Sequence, residues 1–265
     1  MTSSHSPYPT SYKDVNTLLL FMFPKIQAIL GDQFVGFYLY GSLSLGDFDP
    51  ASSDVDFLVV TREDVSEEIF ESLRDMHVII ASSNLPYANY IEGSYIPLKA
   101  LRRYDPHNAH HPTIGIDWPF RIALHGSNWI LERYILREHG VIVYGPPPQT
   151  LIDPVTPEEM RVAVCEQLKN FWSVQLDGPE WLRPRSYQAF AVLTLCRALY
   201  TLHQGMVSSK PHAALWAQET YPQWKPIIER SLLWRTQYEE DDLTETMNFL
   251  RDALKAAQKM CIIVE

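Results

Sequence analysis

Two aspartates stand where a buried strand would ordinarily be apolar. Asp54 and Asp56 are separated by one residue and lead directly into the run Phe57-Leu58-Val59-Val60. Alternate residues of a strand point to the same face, so the two carboxylates lie side by side, with their side-chain bases about 7 Å apart. Two such like charges are destabilising unless a cation neutralises them. The pair therefore predicts a strand that carries a site for a divalent ion such as Mg²⁺, which prefers carboxylate oxygens.

The segment before the pair supplies groups that bind phosphate. Gly41 and Ser42 follow the strand-like stretch FVGFYLYG and open a short turn-rich segment. Backbone N–H groups at such a turn, together with a hydroxyl, are suited to phosphate oxygens. Followed about a dozen residues later by Ser-Asp-x-Asp, this pattern indicates a metal-bound nucleoside triphosphate. The alternative is a plain turn followed by two solvated aspartates on an edge strand.

The rest of the first half alternates between helix and strand patterns. A helix is predicted over residues 12–30, ended by Gly31, and another after Ser66, a good N-cap. The stretch YANYIEGSYIPL predicts a third strand, with Glu92 on the same face as its alternate neighbours. Residues 101–117 are predicted to be a long loop and residues 118–138 a helix. The loop holds a group of histidines, which could be metal ligands but which we expect to be surface residues: His107, His110 and His111.

A proline-dense stretch, GPPPQTLIDPVTPEE, separates this half from a wholly helical remainder. Thr156 is the expected N-cap of the first of these helices. Helices are predicted over residues 157–175, 186–204, 210–220, 222–236 and 239–262. We therefore place a domain boundary near residue 155.

The composition limits the classes of molecule that the protein is expected to bind. The formal net charge is −10, which disfavours a nucleic-acid backbone and suits a cationic small molecule, or simply solubility. Three scattered cysteines predict reduced thiols rather than a disulfide framework. No secretory signal or membrane span is visible, so we expect a cytoplasmic monomer without a membrane partner.

These motifs resemble a known family. LYGSLSLGDFDPASSDVDFLVV is similar to the signature of the DNA-polymerase-β-like nucleotidyltransferase superfamily. HGVIVYGPPPQTLIDPVTPEE, VLTLCRALYTLHQGMVSSK and YPQW resemble the aminoglycoside adenylyltransferases that modify streptomycin and spectinomycin, and the resemblance runs from about residue 30 to 255. It implies an α+β protein in which a nucleotidyltransferase fold (1–155), a small mixed sheet flanked by helices, precedes an all-α bundle (156–265) that binds substrate and nucleotide.

The resemblance also implies roles for individual residues. Asp54 and Asp56 would hold Mg²⁺ on the phosphates of ATP, and Ser42 and Ser53 would contribute to nucleotide binding. Glu92, on the third strand, would be the general base that accepts the proton of the acceptor hydroxyl.

The resemblance also implies residues that would bind the ATP phosphates and the acceptor. Arg197 and Lys210 correspond to basic residues of the helical domain that reach ATP phosphates. Trp118 and Trp172 correspond to tryptophans that face the drug, and each could equally be a core aromatic.

The chain departs from the family after Trp172. Its loop is longer, and either Glu180 or Asp177 would replace the family's first drug-binding acid. The family's later acid and amide fall near Tyr187 and Phe190, so they are absent here. This departure puts streptomycin acceptance in doubt and leaves nucleotidyl transfer intact.

Three functions are compatible with these patterns. The first is transfer of AMP from MgATP to a hydroxyl of an aminoglycoside or similar cationic small molecule. The second is nucleotidyl transfer to a protein or tRNA, as in toxin-like enzymes, which the acidic charge disfavours. The third is a non-catalytic nucleotide-binding regulator, which the retention of all three carboxylates disfavours.

Overall fold

The computed structural model describes residues 8–116 and 118–261. The polar tail predicted over residues 1–11 therefore lies largely outside the described residues. Within them, the chain divides into two compact units: residues up to Phe48 with Ser53–Pro154, and Asp49–Ser52 with the residues from Val155 onward. No helix in these ranges is both long enough and apolar enough to cross a bilayer.

The first unit combines five helices with six strands. The helices are α1 (Lys13–Leu30), α2 (Gly41–Leu45), α3 (Glu67–Ala81), α4 (Leu98–Arg102) and α5 (Asn128–His139). The strands are β1 (Phe34–Leu39), β2 (Val55–Thr61), β3 (Ile91–Pro97), β4 (His110–Gly115), β5 (Trp118–Leu124) and β6 (Val141–Tyr144).

The strands form one mixed sheet in the order β5-β4-β3-β2-β1-β6. β2 and β3 are parallel and are joined through α3, whereas the other neighbouring pairs are antiparallel. A parallel pair needs such a crossover connection, and the helix that supplies it covers one face of the sheet. The sheet is therefore mixed, as predicted.

Each face of the sheet has its own cover. One face carries Phe37, Phe57 and Tyr95, which are buried in the main apolar core together with side chains of α1 and α3. Neighbouring residues along the same strands point to the opposite face. There, Tyr40 and Leu58 lie against Trp129 and other residues of α5. Asp56 of β2 belongs to this second face, and Asp54 lies directly before the strand.

Sequence reasoning was wrong about residues 101–138. Instead of a long loop followed by one helix, the chain forms α4, the hairpin of β4 and β5, and then α5. The sequence pattern did not predict the hairpin because β5 is an edge strand with exposed apolar side chains, among them Ile122 and Leu124. Such a strand lacks the regular alternation of apolar and polar residues. His111 was expected at the surface, but it lies in β4 and its side chain is only 1% exposed.

The second unit is helical. Its helices, within the described residues, are α6 (Pro157–Gln167), α7 (Arg185–Gln204), α8 (Lys210–Thr220), α9 (Lys225–Trp234) and α10 (Thr244–Cys261). Thr156 caps α6 with a reciprocal capping box to Glu159, as its sequence predicts. A π-helical turn, Leu168–Trp172, extends α6, and α7 is the longest helix of the unit. The protein is thus α+β, with helices alone in its carboxyl-terminal part.

The prediction of three reduced thiols was wrong. Cys165 of α6 and Cys261, the last residue of α10, form a disulfide across a sequence separation of 96 residues. Cys196 is free and buried, and burial raises the pKa of its thiol to about 12. The spacing of the cysteines in the sequence does not predict this bond, because the bond depends on the packing of α10 beside α6.

Candidate active site

Predicted site residues that are far apart in the sequence lie together at one end of the sheet. Asp56 pairs with Glu92 across β2 and β3, Gly93 pairs with Ile114, and Gly115 pairs with Trp118. This register places the first residues of β2, β3 and β5 at the same end of the sheet as the last residues of β1. Strand pairing, rather than flexible loops, therefore fixes where the predicted site residues lie.

Three carboxylates converge at this edge. Each of Asp54, Asp56 and Glu92 offers an oxygen, and these atoms lie within 4.8 Å of one another. All three residues are half-buried. Three acidic groups so close repel each other strongly unless a cation or protons lie between them. The two aspartates thus lie close together, as the sequence predicts, and Glu92 lies beside them.

The backbone at Gly41 touches the carboxylate of Asp56. Gly41 has φ +59°, and a Cβ built on it would lie 1.9 Å from Oδ2 of Asp56. The N–H of Tyr40 donates to the carbonyl of Asp56 at 3.2 Å. Glycine is therefore required here both by the left-handed backbone and by the close approach of the carboxylate.

Ser42 presents a hydroxyl that nothing in the described chain satisfies. Its Oγ is buried and has no hydrogen-bond partner. A buried hydroxyl ordinarily finds a partner, and one that lacks it beside a carboxylate cluster is suited to an incoming ligand oxygen. Ser53, the other predicted serine, is half-buried directly before Asp54.

Two residues of the site were missed by sequence reasoning. Tyr40 is 8% exposed, and burial, followed by the charges of Asp56, Glu132, Glu92 and Asp54, holds the pKa of its phenol well above the usual range. Its hydroxyl is consequently protonated at neutral pH.

Glu132 is the second of these residues. It belongs to α5 and lines the same small cavity as Tyr40. Periodicity could have found it, because Trp129, Glu132 and Arg133 share one helix face.

A buried polar network lies further along the same face. Ser94, two residues after Glu92, and Thr113 both contact Nε2 of His125, at 3.2 and 3.1 Å. The His125 ring stacks on Trp129 with centroids 3.7 Å apart. Burial lowers the pKa of His125 to about 2 and that of His111 to about 4. These histidines are therefore neutral supports of the sheet at neutral pH.

Trp118 opens β5 at the active edge. Its side chain is 44% exposed, and the guanidinium of Arg121 lies 4.4 Å from its ring centroid. A Cβ on Gly115 would clash with its indole at 2.1 Å. The indole of Trp118 thus packs against Gly115 while part of the side chain stays exposed.

The remaining predicted residues belong to the second unit. Arg197 is half-buried on α7. Lys210 is the first residue of α8, and its Nζ lies 4.7 Å above the ring centroid of Phe190. Trp172 is 3% exposed, and Glu180 is exposed in a short 3₁₀ turn.

The fold and the carboxylate edge define a class of protein. Residues 25–96, which contain Gly41, Ser42 and the three acids, match the family model of the nucleotidyltransferase domain. The chain is a nucleotidyltransferase. Residues 150–260 match a second model, the carboxyl-terminal domain of aminoglycoside adenylyltransferase. The carboxyl-terminal part of the chain is therefore similar to that of the aminoglycoside adenylyltransferases.

Individual relatives agree with this assignment. An aminoglycoside (3'') (9) adenylyltransferase of Escherichia coli is 27% identical over 90% of this chain and 92% of its own length. One of Shigella flexneri is 28% identical over 81% of this chain and 83% of its own. A crystal structure of spectinomycin adenyltransferase AAD(9) from Enterococcus faecialis, with ATP and spectinomycin, has the same fold. Its TM-score is 0.69, at 20% identity, over 90% of this chain and 98% of that one.

Proposed function

We propose that this enzyme transfers AMP from MgATP to a hydroxyl of an aminoglycoside or similar small molecule. The observation that carries the proposal is the group of three carboxylates whose oxygens lie within 4.8 Å of one another. The family supplies the class of reaction, and the relatives' names supply the class of acceptor. Modification of an antibiotic in this way would make its host resistant.

The described residues fit a magnesium-bound triphosphate. Asp54 and Asp56 would hold the ion, since Mg²⁺ prefers carboxylate oxygens and keeps positions for phosphate. The Oγ of Ser42 is buried without a partner, and because Gly41 has no Cβ, the Asp56 carboxylate lies close to its backbone. The unpartnered hydroxyl of Ser42 suits a phosphate oxygen. When bound, the ion would stabilise negative charge on the phosphates.

Glu92 would act as the general base. In the proposed reaction the acceptor oxygen forms a bond to the α-phosphorus, and the bond from that phosphorus to the bridging oxygen breaks. Pyrophosphate leaves with the electron pair, and the hydroxyl proton passes to the Glu92 carboxylate. A carboxylate that accepts the proton in this way contributes about 10²–10⁴-fold.

The remaining predicted residues would contact the two substrates. Arg197 and Lys210 would bind the phosphates, and Trp118 and Glu180 would contact the acceptor. Trp172, also predicted to contact the acceptor, is 3% exposed, which leaves almost no surface for that contact. In this proposal residues 1–155 form the nucleotidyltransferase domain and residues 156–265 the domain that binds substrate and nucleotide. The partner is a small hydroxylated molecule rather than nucleic acid or membrane, and the enzyme acts as a cytoplasmic monomer.

Two measurements test the proposal. Calorimetry should show ATP binding that requires magnesium and is lost in Asp54→Asn, while Asp14→Asn, an exposed aspartate of α1, binds as the parent does. A pyrophosphate-release screen across spectinomycin, streptomycin and other hydroxylated amines should then identify an acceptor. Magnesium-dependent ATP binding without release for any small molecule, and with AMP appearing on protein or tRNA, would replace this function by a toxin-like one.

A further inference from the structure

Tyr87 has a backbone conformation that is unfavourable for its side chain. Its φ is +61°, and among the described residues it is the only one other than glycine with a positive φ. The Leu85 carbonyl accepts from the N–H of Ala88 at 3.2 Å, and Pro86 precedes Tyr87. This is the pattern of a type II turn, whose third position normally requires glycine or asparagine. A bulky residue there is an outlier, and such strain persists only where its surroundings stabilise it, often at functional sites.

The ring of Tyr87 packs against Phe48. The two ring centroids lie 5.7 Å apart, which is within the range of interacting aromatic pairs. Phe48 is 6% exposed and belongs to the main apolar core, and Tyr87 packs against that core. The contact therefore offsets the strain of the turn and fixes Phe48 at the same time.

Tyr12 also holds Phe48. Its ring centroid lies 4.6 Å from that of Phe48, and its hydroxyl donates to the Phe48 carbonyl at 3.1 Å. Tyr12 is itself fixed just before α1, where its N–H donates to the Thr10 hydroxyl at 3.1 Å. The Asn16 amide in turn donates to the Thr10 carbonyl at 2.8 Å. Both the side chain and the backbone of Phe48 are thus held.

Asp54 is the proposed metal ligand that strand pairing does not fix. The ladder between β2 and β3 begins with the pair Val55 and Ile91, so Asp54 lies just before it. Asp56, by contrast, is paired with Glu92 inside the ladder. The position of Asp54 therefore depends on the loop that leads to it.

The turn that contains Tyr87 holds this loop on both sides of Asp54. Five residues before Asp54 in the sequence are preceded by Phe48, which the Tyr87 ring contacts. After Asp54, the N–H of Val55 donates to the Tyr90 carbonyl at 2.8 Å. The N–H of Tyr90 donates to the Tyr87 carbonyl at 2.9 Å. Asp54 thus lies between two points that are fixed by one short segment.

The loop between these points is internally hydrogen-bonded. The Asp49 carboxylate accepts from the N–H of Ala51 at 3.0 Å and from the hydroxyl of Ser52 at 2.8 Å. The Asp49 carbonyl accepts from the N–H of Ser52 at 3.1 Å. Because these bonds close a turn, the loop has little freedom to extend, and a shift of Phe48 would be passed on to Asp54.

We infer that Tyr87 is a positioning residue for Asp54: its ring holds Phe48, and its turn places the Asp54 carboxylate where a divalent ion can bind beside Asp56. The inference rests on the proposed function, in which these two aspartates hold Mg²⁺. Glycine would form the same turn without strain, but Phe48 would then lose one of its two tyrosine contacts. The ring contact thus explains why a strained tyrosine occupies this position.

Replacement of Tyr87 by glycine separates turn formation from positioning. The variant loses the ring contact but also the backbone strain, so the Tm of Tyr87→Gly should stay close to that of the parent. The magnesium concentration needed for half-maximal ATP binding, measured by calorimetry, should rise by about three- to tenfold, which is the factor that one aromatic contact supplies. Tyr87→Phe keeps the ring and should restore the parental magnesium requirement.

Tyr144→Ala is the matched control. Tyr144 of β6 packs against Phe23 and Phe34, with ring centroids 5.4 and 5.5 Å away, and these residues lie outside the loop. The variant loses two aromatic contacts in the same unit, so its Tm should fall. Its magnesium requirement should remain that of the parent.

Three results would overturn the inference. An unchanged magnesium requirement in Tyr87→Gly would show that the residue only forms the turn. An equal rise in Tyr144→Ala would show that any loss of packing weakens metal binding. A Tyr87→Phe variant as weak as Tyr87→Gly would assign the effect to the hydroxyl instead of the ring. A parent protein whose ATP binding does not require magnesium would contradict the proposed function itself, and this result is obtained before any variant is compared.

Discussion

Gly41 and Asp56 are in direct contact, although they lie in different motifs of the sequence. A Cβ atom on Gly41 would be 1.9 Å from Oδ2 of Asp56, well inside van der Waals distance. The glycine backbone and the carboxylate therefore determine each other's positions. The turn that we propose to bind phosphate and the acid that we propose to bind the metal are therefore in contact with each other.

Gly41→Ala should disable nucleotide binding. The new methyl group would force the Asp56 carboxylate away, and φ +59° is unfavourable for alanine. We expect magnesium-dependent ATP binding, measured by calorimetry, to fall below detection. Gly46→Ala is the matched control: Gly46 also has a positive φ, +76°, but nothing lies within 4 Å of its Cβ position. It should lose stability by about 1 kcal/mol and keep ATP binding, and equal loss of binding in both variants would refute the contact argument.

Glu92→Gln should separate binding from chemistry. The amide cannot accept the hydroxyl proton, so we expect kcat to fall by about 10²–10⁴-fold while the Kd of MgATP changes little. Rapid-quench measurement of AMP transfer at saturating ATP checks the rate. Parental turnover in this variant would show that Glu92 is not the base.

The buried histidines should make the fold sensitive to acid. Burial lowers the pKa of His77 to about 3, and an unfolded histidine has a pKa of about 6.5. Between these values the unfolded chain binds the additional proton. Stability is therefore complete above about pH 6.5 and is lost as the pH falls, by up to about 1.4 kcal/mol per pH unit for each such histidine. Urea unfolding at pH 7.5, 6 and 5 measures this slope.

A single substitution isolates the contribution of His77. The ring of His77 lies among Phe57, Phe120 and Tyr95, and its Nε2 is 2.9 Å from the Tyr95 hydroxyl. His77→Gln keeps a polar partner for Tyr95 and removes the titration, so its pH slope should be shallower than that of the parent. His139→Gln, an exposed position on α5, is the control. An unchanged slope in His77→Gln would assign the acid sensitivity to other groups.

Reduction of the Cys165–Cys261 disulfide should destabilise the protein. The bond closes a separation of 96 residues, and bonds of this kind contribute about 2–4 kcal/mol. Dithiothreitol should lower the Tm of the parent, and Cys165→Ser should show the same loss without reductant and no further change with it. A parental Tm that is insensitive to dithiothreitol would mean that α10 is held by packing alone.

Local patterns predicted the catalytic edge better than its surroundings. The Asp-x-Asp spacing predicted a shared strand face, and the strand predicted over YANYIEGSYIPL contains the observed β3, Ile91–Pro97, although residues 87–90 form a turn. These inferences succeed because a period of two residues is a local property. The N-caps Ser66 and Thr156 were found for the same reason, since a cap involves residues three positions apart.

Features that depend on distant contacts were missed. The β4–β5 hairpin lies at an exposed edge, where Ile122 and Leu124 do not follow the alternation of a half-buried strand. The contact of Gly41 with Asp56, the place of Glu132 beside Tyr40 and the Cys165–Cys261 bond all arise from tertiary packing. A single sequence carries no spacing that specifies them.

The parallel pairing of β2 and β3 makes the third acid dependent on an uninterrupted hydrogen-bond ladder. Asp56 faces Glu92 because every residue from Val55 to Thr61 has its partner in β3 without a bulge. Insertion of one residue between Ile91 and Gly93 would rotate Glu92 towards the apolar side occupied by Phe57, and the charge would then be buried among aromatic rings. We therefore expect a one-residue insertion within β2 or β3 to break up the group of three carboxylates.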